Sequence, residues 1–321
     1  MERQAHDDQA TPAEREIERF RVDLLEGLSK NPKALAPKWF YDAEGSRLFE
    51  DITRLMEYYP TRQEAALLTR VAPEIARVAG PNAVVVEFGS GASEKTRILL
   101  DALERPSVYV PLDISPDALT EAAGRIAAGY PDMDVRPIVG DFEDLSPLPK
   151  DLGGERRVGF FPGSTLGNLE PEEAVRFMSS ARRMLGEGAL FLLGVDLVKD
   201  EATLVRAYDD ASGVTAAFNL NVLARANREL SADFDLGAFR HRALWNGERS
   251  RMEMHLEATR PMAARIAGDT VRFQAGETIH TESSRKFTET MIQDLARESG
   301  WTLIRFDVGS APSVALALLR A

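Results

Sequence analysis

The chain has 321 residues, 44% hydrophobic and 28% charged, which is enough apolar material for one large or two modest packed domains. Its 51 acidic and 39 basic side chains leave a net charge of −12, which argues against nucleic acid and anionic membranes as partners. The absence of cysteine excludes disulfides, thiol catalysis and thiolate metal sites.

Two helix-start signatures precede the first apolar run of the chain. Thr11 with Glu14 forms a capping box and predicts an amphipathic helix that begins there. Thr61 with Glu64 forms a second box and predicts another helix, which Pro73 should bend or break. We therefore expect a helical region ahead of the first strand.

Short apolar runs alternate with helical stretches in the middle of the chain. They lie at 83–88, 107–112, 135–139, 158–161 and 189–195. Continuous apolar strands separated by helices predict an α/β fold with a doubly wound, Rossmann-like parallel sheet. Two last runs, 302–308 and 313–319, are joined by a short turn and predict a terminal antiparallel hairpin at the sheet edge.

Residues 197–286 interrupt this pattern. Two helical stretches, around Tyr208 and Val222, are followed by alternating segments that turn at Asn246-Gly247, a strong hairpin signal. This pattern predicts an inserted α+β domain.

The chain is thus predicted to form two domains. One, which contains the parallel sheet and the terminal hairpin, comprises 61–196 and 287–321. The other, which contains the inserted α+β segment, comprises 11–60 and 197–286.

Candidate cofactor residues lie at the ends of three consecutive strands. The first strand ends in an E-x-G-x-G motif that contains Gly89 and Gly91, where glycines let the backbone approach a ligand. Asp113 ends the second strand and can accept hydrogen bonds from ribose hydroxyls. Asp141 and Phe142 end the third, where they could hold an adenine ring.

This order of motifs resembles Rossmann-like methyltransferases that bind S-adenosylmethionine. A nicotinamide dehydrogenase is the alternative, but its third glycine is missing.

Further segments carry a more specific resemblance. They are KWFYDAEGSRLFE, EYYPTR, EFGSGASEKTR, GSTLGNL, DLVKD with RAYDDASGVTAAFN, NRELSADFD and TESSRKF. Together they resemble the L-histidine Nα-methyltransferase family of ergothioneine biosynthesis, from about residue 30 to residue 290. The resemblance implies three successive methyl transfers from S-adenosylmethionine to the α-amine of L-histidine, giving hercynine, the trimethylhistidine betaine.

The same resemblance implies the site residues. The implied cofactor contacts are Gly89, Lys95, Asp113, Asp141 and Phe142. The implied substrate contacts are Asn168 and Tyr208 for the carboxylate, Tyr58 in the same pocket, Tyr41 near the reacting amine as the catalytic residue, Glu282 and Ser284 for the imidazole, and Met254 beside the ring. Ser283 lies between the two imidazole contacts, where the family can carry an apolar residue.

Each of these residues also has an ordinary structural explanation. The tyrosines could be interface aromatics, Asn168 a turn or cap residue, and Lys95 a lysine of a first helical turn. Glu282 could be a solvated strand charge, and Met254 could belong to the core. The four histidines show no metal-ligand spacing, so no metal site is expected.

Two other functions stay open at this point: the same chemistry on another amino acid such as tryptophan, and a non-catalytic module that binds S-adenosylmethionine. No stretch approaches the roughly 18 apolar residues of a membrane span, and no signal-peptide core precedes Thr11. We therefore expect a cytoplasmic, monomeric enzyme with a small-molecule substrate and no nucleic-acid, membrane or obligate protein partner.

Overall fold

The computed structural model describes residues 11–89, 94–113, 116–140, 147–149, 151–153 and 156–321. The helices are α1 (Pro12–Ser29), α2 (Ala43–Arg54), α3 (Pro60–Ala79), α4 (Glu94–Ala102), α5 (Pro116–Gly129), α6 (Pro171–Leu185), α7 (Glu201–Tyr208), α8 (Val214–Glu229) and α9 (Glu289–Glu298). The strands are β1 (Lys33–Ala34), β2 (Val84–Phe88), β3 (Val108–Asp113), β4 (Asp134–Val135), β5 (Ile138–Val139), β6 (Arg157–Phe161), β7 (Leu190–Asp196), β8 (Phe239–Asn246), β9 (Arg251–Ala258), β10 (Met262–Ile266), β11 (Asp269–Phe273), β12 (Thr278–Arg285), β13 (Thr302–Val308) and β14 (Val314–Arg320).

The chain divides into two compact units. The first unit comprises the residues up to Tyr58 together with Asp200–Ser283. The second unit comprises Tyr59–Lys199 and Ser284–Ala321. Within the described part of the chain, every helix is too short or too polar to cross a bilayer.

The second unit contains the predicted doubly wound sheet. Its strand order is β13-β14-β7-β6-β2-β3-β4, and β5 also pairs with β3. The strands from β7 to β4 run parallel, whereas β13 and β14 form the antiparallel hairpin at the edge, which confirms the predicted arrangement. Val84, Val86 and Phe88 pack into a core with residues of α6 and α9. Val85 and Glu87, on the opposite face of β2, are also buried, because helices cover both faces.

The first unit contains a smaller sheet and a separate hairpin. The sheet has the order β1-β12-β9-β8, and β10 and β11 form a two-stranded sheet. Strands β8 and β9 are antiparallel and turn after Asn246, which confirms the predicted hairpin. Along β9 the side chains of Met252, Met254 and Leu256 are buried on one face, as strand alternation requires.

The two predicted capping boxes have different outcomes. Thr11 and Glu14 form the predicted box at the start of α1. The box predicted for Thr61 is wrong: α3 begins at Pro60 without a side-chain cap, and the carboxylate of Glu64 bonds elsewhere. Pro73 does not break the helix, since α3 continues through it to Ala79, and a bend at Pro73 stays a prediction. The apolar run at 135–139 forms two short strands, β4 and β5, in place of one.

Candidate active site

The turn after β2 and the end of β3 provide the described part of the predicted cofactor site. Gly89 has a φ of +72°, a backbone conformation that side chains with a Cβ rarely adopt. Its N–H donates to the carbonyl oxygen of Leu112 over 2.8 Å, which holds the turn against β3. Asp113 ends β3 and is half-buried. Asp141 and Phe142 lie outside the described residues.

Glu87 is a buried carboxylate directly below this turn. It accepts hydrogen bonds from Tyr109 Oη at 2.6 Å and from Thr96 Oγ1 at 2.8 Å. Burial raises the pKa of Glu87 to about 7, although both hydrogen bonds and nearby Lys95 favour the ionised form. Glu87 thereby ties β2 to β3 and to the first turn of α4.

Lys95 forms a buried ion pair that the sequence did not predict. Its Nζ lies 2.8 Å from Glu64 Oε2, and both side chains are less than a tenth exposed. The Glu64 carboxylate also accepts from the backbone N–H of Gly163, at 2.9 Å. A Cβ at position 194 would lie 1.8 Å from Glu64 Oε1, so the pair requires Gly194. A contact of Lys95 with the cofactor stays a prediction.

The sequence does contain a signal for Glu64. Its position on α3 lies three and four residues before Leu67 and Leu68, which are buried. Residues at this spacing share one helix face, so Glu64 occupies the apolar face of its helix. A carboxylate there needs a buried partner.

Asn168 and Ser284 lie in the second unit. Asn168 ends a short 3₁₀ helix after β6, and the N-cap of α6 is Glu170, so Asn168 does not cap that helix. A Cβ on the preceding Gly167 would lie 2.7 Å from the carbonyl oxygen of Arg285, which shows how closely this loop approaches the end of β12. The geometry places Asn168 beside the segment that carries Ser284.

A buried charge network holds Ser284. Its Oγ accepts from Lys286 Nζ at 2.9 Å, and Lys286 pairs with Asp196 Oδ2 at 3.1 Å. Tyr59 Oη donates to the same Asp196 oxygen at 2.7 Å, and Lys199 pairs with the other oxygen. The lysines hold the pKa of Asp196 below its usual value in spite of its burial, which alone would raise it. The network keeps Asp196 ionised and anchors Ser284.

In the first unit, aromatic rings connect the three predicted tyrosines. The ring centroid of Phe49 lies 5.7 Å from that of Tyr41 and 6.2 Å from that of Tyr58. Tyr58 is in turn 6.4 Å from Tyr208. Phe218 lies 5.7 Å from Tyr41 on another side. These edge-on contacts group the tyrosines around one apolar centre.

Glu282 belongs to the same group. The surrounding protein, the negative charge of Glu282 and the hydroxyls of Tyr58 and Tyr208 raise the pKa of Tyr41 well above its usual value. The residue as a whole is 41% exposed. Tyr41 is therefore a neutral phenol at neutral pH.

His241 fixes the end of α7, where Tyr208 lies. Its Nε2 is 2.8 Å from the carbonyl oxygen of Tyr208, and its Nδ1 is 2.8 Å from the side-chain amide of Asn219. Burial lowers the pKa of His241, so the ring is neutral at pH 7.

Met254 and Ser283 lie on the sheet of the first unit. Met254 is 2% exposed within the buried face of β9, and its carbonyl oxygen accepts from Thr281 Oγ1 at 3.0 Å. Along β12 the burial alternates up to Thr281 and then shifts by one residue, so Ser284 is buried and Ser283 is half-buried. Ser283 Oγ lies 3.1 Å from His280 Nε2, at this shift.

The structure also brings together a group that the sequence spacing did not reveal. One donor atom from each of Glu253, His255 and His280 lies within 4.8 Å of the others. Burial lowers the pKa values of both histidines, and Arg251 helps to hold the pKa of Glu253 at about 2. Two neutral imidazoles and a carboxylate therefore share one face of the sheet.

Two groups of the described site residues fit a binding role. Tyr41, Tyr58, Tyr208 and Glu282 come together in the first unit. Gly89 and Asp113 lie at adjacent strand ends in the second. The sharp turn and the carboxylate fit a ligand with ribose hydroxyls, as S-adenosylmethionine has.

Two curated relatives cover nearly the whole chain. The histidine N-alpha-methyltransferase of Mycolicibacterium smegmatis is 48% identical over 300 residues, which cover 90% of this chain and 92% of that protein. The histidine N-alpha-methyltransferase of Mycobacterium tuberculosis is 46% identical over 305 residues, covering 93% and 94%.

A solved structure and a family model give two further matches. The crystal structure of a possible exported protein from Bordetella parapertussis has a TM-score of 0.50 at 14% identity, covering 94% of this chain and 86% of that one, and shows a shared fold alone. The model of the histidine-specific, S-adenosylmethionine-dependent methyltransferases matches residues 20–321. The chain therefore belongs to the family of histidine-specific methyltransferases that use S-adenosylmethionine.

Proposed function

We propose that this methyltransferase adds three methyl groups in succession to the α-amine of L-histidine and releases hercynine. The observation that carries the proposal is the grouping of Tyr41, Tyr58, Tyr208 and Glu282 in one unit. This group combines a carboxylate for an imidazole N–H with hydroxyls for the amino-acid end of the substrate. The two relatives named above as histidine N-alpha-methyltransferases support the same substrate and the same nitrogen.

We propose that the second unit binds the cofactor and the first unit binds most of the substrate. Bound S-adenosylmethionine supplies an electrophilic methyl group on a positively charged sulfur. Gly89 and Asp113 would hold its ribose side, and Asp141 and Phe142 would hold its adenine ring. Asn168 and Tyr208 would donate hydrogen bonds to the histidine carboxylate, with Tyr58 beside them. Ser284 would contact the imidazole, with Met254 packed beside the ring.

The residues near the amine act by placement. Tyr41 stays protonated at neutral pH, since its pKa is raised, so it is a poor general base. Its hydroxyl oxygen can accept a hydrogen bond from the amine and direct the nitrogen lone pair toward the methyl carbon. Correct placement of two reactants can equal an effective concentration of about 10⁵ M or more.

Glu282 would select the substrate. A carboxylate that accepts the imidazole N–H makes a charge-assisted hydrogen bond, whereas an apolar side chain would leave the carboxylate without that partner. We further propose that the enzyme acts as a monomer and that it is cytoplasmic, because the lack of cysteine fits a reducing compartment.

The test is a substrate panel. The purified protein is incubated with S-adenosylmethionine and single amino acids, including histidine, tryptophan and tyrosine, and the products are measured by mass spectrometry. We expect mono-, di- and trimethylated histidine, with the trimethylated form accumulating. Methylation of tryptophan in preference to histidine would favour the other amino-acid substrate, and cofactor binding without any product would favour a non-catalytic module.

A further inference from the structure

Three side chains that can bind a metal ion converge on the sheet of the first unit, and none of them has a role in the proposed reaction. Glu253 and His255 lie on β9, and His280 lies on the neighbouring strand β12. Glu253 Oε2 is 3.2 Å from His255 Nε2. The rings of His255 and His280 are stacked with centroids 5.0 Å apart.

The carboxylate of Glu253 is oriented by two neighbours. Its Oε1 accepts from Arg251 Nε at 2.7 Å and from Asn246 Nδ2 at 3.0 Å. Only Oε2 is then turned toward His255. Carboxylates that bind metals are commonly held in this way, with the other oxygen hydrogen-bonded to the protein.

The two imidazoles have lone pairs to offer. His280 Nε2 lies 2.9 Å from the carbonyl oxygen of Glu282, so this nitrogen carries the proton and Nδ1 carries the lone pair. A backbone carbonyl is a typical outer partner of a metal-binding histidine. His255 Nδ1 is buried and makes no hydrogen bond within the described residues. The lone pair of His255 Nδ1 is therefore available to a metal ion.

The donor set matches zinc better than a hard cation. Two imidazoles and one carboxylate form a common three-residue zinc site, which leaves a fourth position for water. Ligands of a tetrahedral zinc ion lie about 3.3 Å apart, given bonds of about 2.0 Å. One donor atom from each of the three residues already lies within 4.8 Å of the others, so side-chain rotations can bring the set to this spacing. Since Arg251 already offsets the charge of Glu253, Mg²⁺ would gain little here.

We propose that Glu253, His255 and His280 form a zinc-binding site whose occupancy weakens the binding of histidine. The link to the substrate is His280, whose ring holds the carbonyl of Glu282 and contacts Ser283. A rotation of that ring onto zinc shifts the strand segment that carries the Glu282 carboxylate. The weakened binding of histidine rests on the proposed function of Glu282, whereas the binding of zinc does not.

The first experiment measures the metal directly. The full chain without an affinity tag is treated with a chelator, dialysed against zinc chloride and analysed for bound metal, with affinity measured by competition with a chromogenic chelator. We expect one zinc ion per chain, and we expect His255→Phe and His280→Phe each to weaken binding at least about tenfold. His241→Phe is the matched control, because His241 lies on the same sheet outside the cluster. Thermal unfolding confirms that each variant is folded.

The second experiment separates the site from its effect. Cobalt(II) replaces zinc as a spectroscopic probe, and its visible bands should show four-coordinate geometry in the wild type and disappear in His280→Phe. Steady-state kinetics of the zinc-loaded protein in buffer without added zinc, compared with the chelator-treated protein, should show a higher KM for histidine and an unchanged affinity for S-adenosylhomocysteine, and this zinc-dependent rise in KM should be absent in His280→Phe. The zinc site is refuted if metal content stays near zero or is equal in all variants. Zinc binding without a change in KM would refute the link to Glu282 and leave the proposed function untouched.

Discussion

Tyr41 combines an exposed ring with a phenol whose pKa is raised, chiefly by the protein around it and by Glu282. A residue of this kind can orient an amine without removing its proton. We expect Tyr41→Phe to lower kcat by about 2- to 12-fold, the effect of one hydrogen bond of roughly 0.5–1.5 kcal/mol. Single-turnover methylation of histidine measures this change. A complete loss of activity in a folded variant would mean that Tyr41 is indispensable as a base.

Glu282 is the residue on which substrate selection depends in our proposal. We expect Glu282→Gln to raise the KM for histidine by about 5- to 12-fold, because the amide oxygen still accepts a hydrogen bond but loses the charge assistance, which contributes roughly 1–1.5 kcal/mol. The affinity for S-adenosylhomocysteine, measured by titration calorimetry, should stay unchanged. Glu277→Gln removes a carboxylate from the same unit that pairs with Lys33, and it serves as the control. Equal kinetics for Glu282→Gln and the wild type would contradict the assignment.

Glu87 should make stability depend on pH. Its pKa is about 7 in the folded chain and 4.5 in the reference state, so the folded chain binds more protons between these values. The Glu87 contribution to the free energy of unfolding therefore falls as the pH rises through this window, by about 3 kcal/mol in total. Glu87→Gln has no carboxyl group at this position, so its free energy of unfolding lacks this dependence on pH.

Urea unfolding from pH 5 to pH 8 measures the free energy of unfolding of the wild type and of Glu87→Gln. As the pH rises, the wild type should lose stability relative to the variant. Glu257→Gln is the control: Arg242 and Arg240 lower the pKa of Glu257 below 4.5, so Glu257 is ionised in both states and its contribution stays constant from pH 5 to pH 8. A wild-type advantage that is constant or grows with pH would show that the pKa of Glu87 is not raised.

At the scale of elements, the pair of Glu64 and Lys95 joins helices α3 and α4 to the turn after β6. Removing one partner of a buried ion pair leaves an uncompensated charge, which costs roughly 3–5 kcal/mol. We expect Glu64→Gln to lower the free energy of unfolding by about that amount. The double variant Glu64→Gln/Lys95→Met should lose less than the sum of the single losses, as urea unfolding would show. Strict additivity would mean that the two charges do not interact.

Local sequence signals predicted the elements well where no distant residue competed with them. The capping box of Thr11 and Glu14 closes on itself, since both partners lie at an exposed helix start. Glu64 has the same spacing from Thr61, but Lys95 and the N–H of Gly163 bind its carboxylate instead. The positions of Lys95 and Gly163 depend on how three elements pack together. The spacing of Thr61 and Glu64 in the sequence carries no information about that packing. The strands were predictable because buried parallel strands leave continuous apolar runs.

At the scale of the whole molecule, the candidate site was predictable only through the family resemblance. Tyr41, Tyr208 and Glu282 are far apart in the sequence, and no short-range periodicity connects them. The same reason explains why the histidine cluster was missed: His255 and His280 become neighbours only when β9 pairs with β12. Motifs at strand ends, such as Gly89 and Asp113, were predictable because each follows its own strand directly.

The chain passes between the two units at Tyr58–Tyr59, at Lys199–Asp200 and at Ser283–Ser284. Strand β1, at Lys33 and Ala34, pairs with Ile279 and His280 near the far end of the chain. During synthesis the amino-terminal segment must therefore wait until most of the nascent polypeptide has left the ribosome before its sheet can close. The other sheet waits longer still, because β14, which pairs with β7, ends at Arg320. A premature stop in the final forty or so codons would thus leave an exposed apolar edge, and we expect such a fragment to be a substrate for chaperones and proteases.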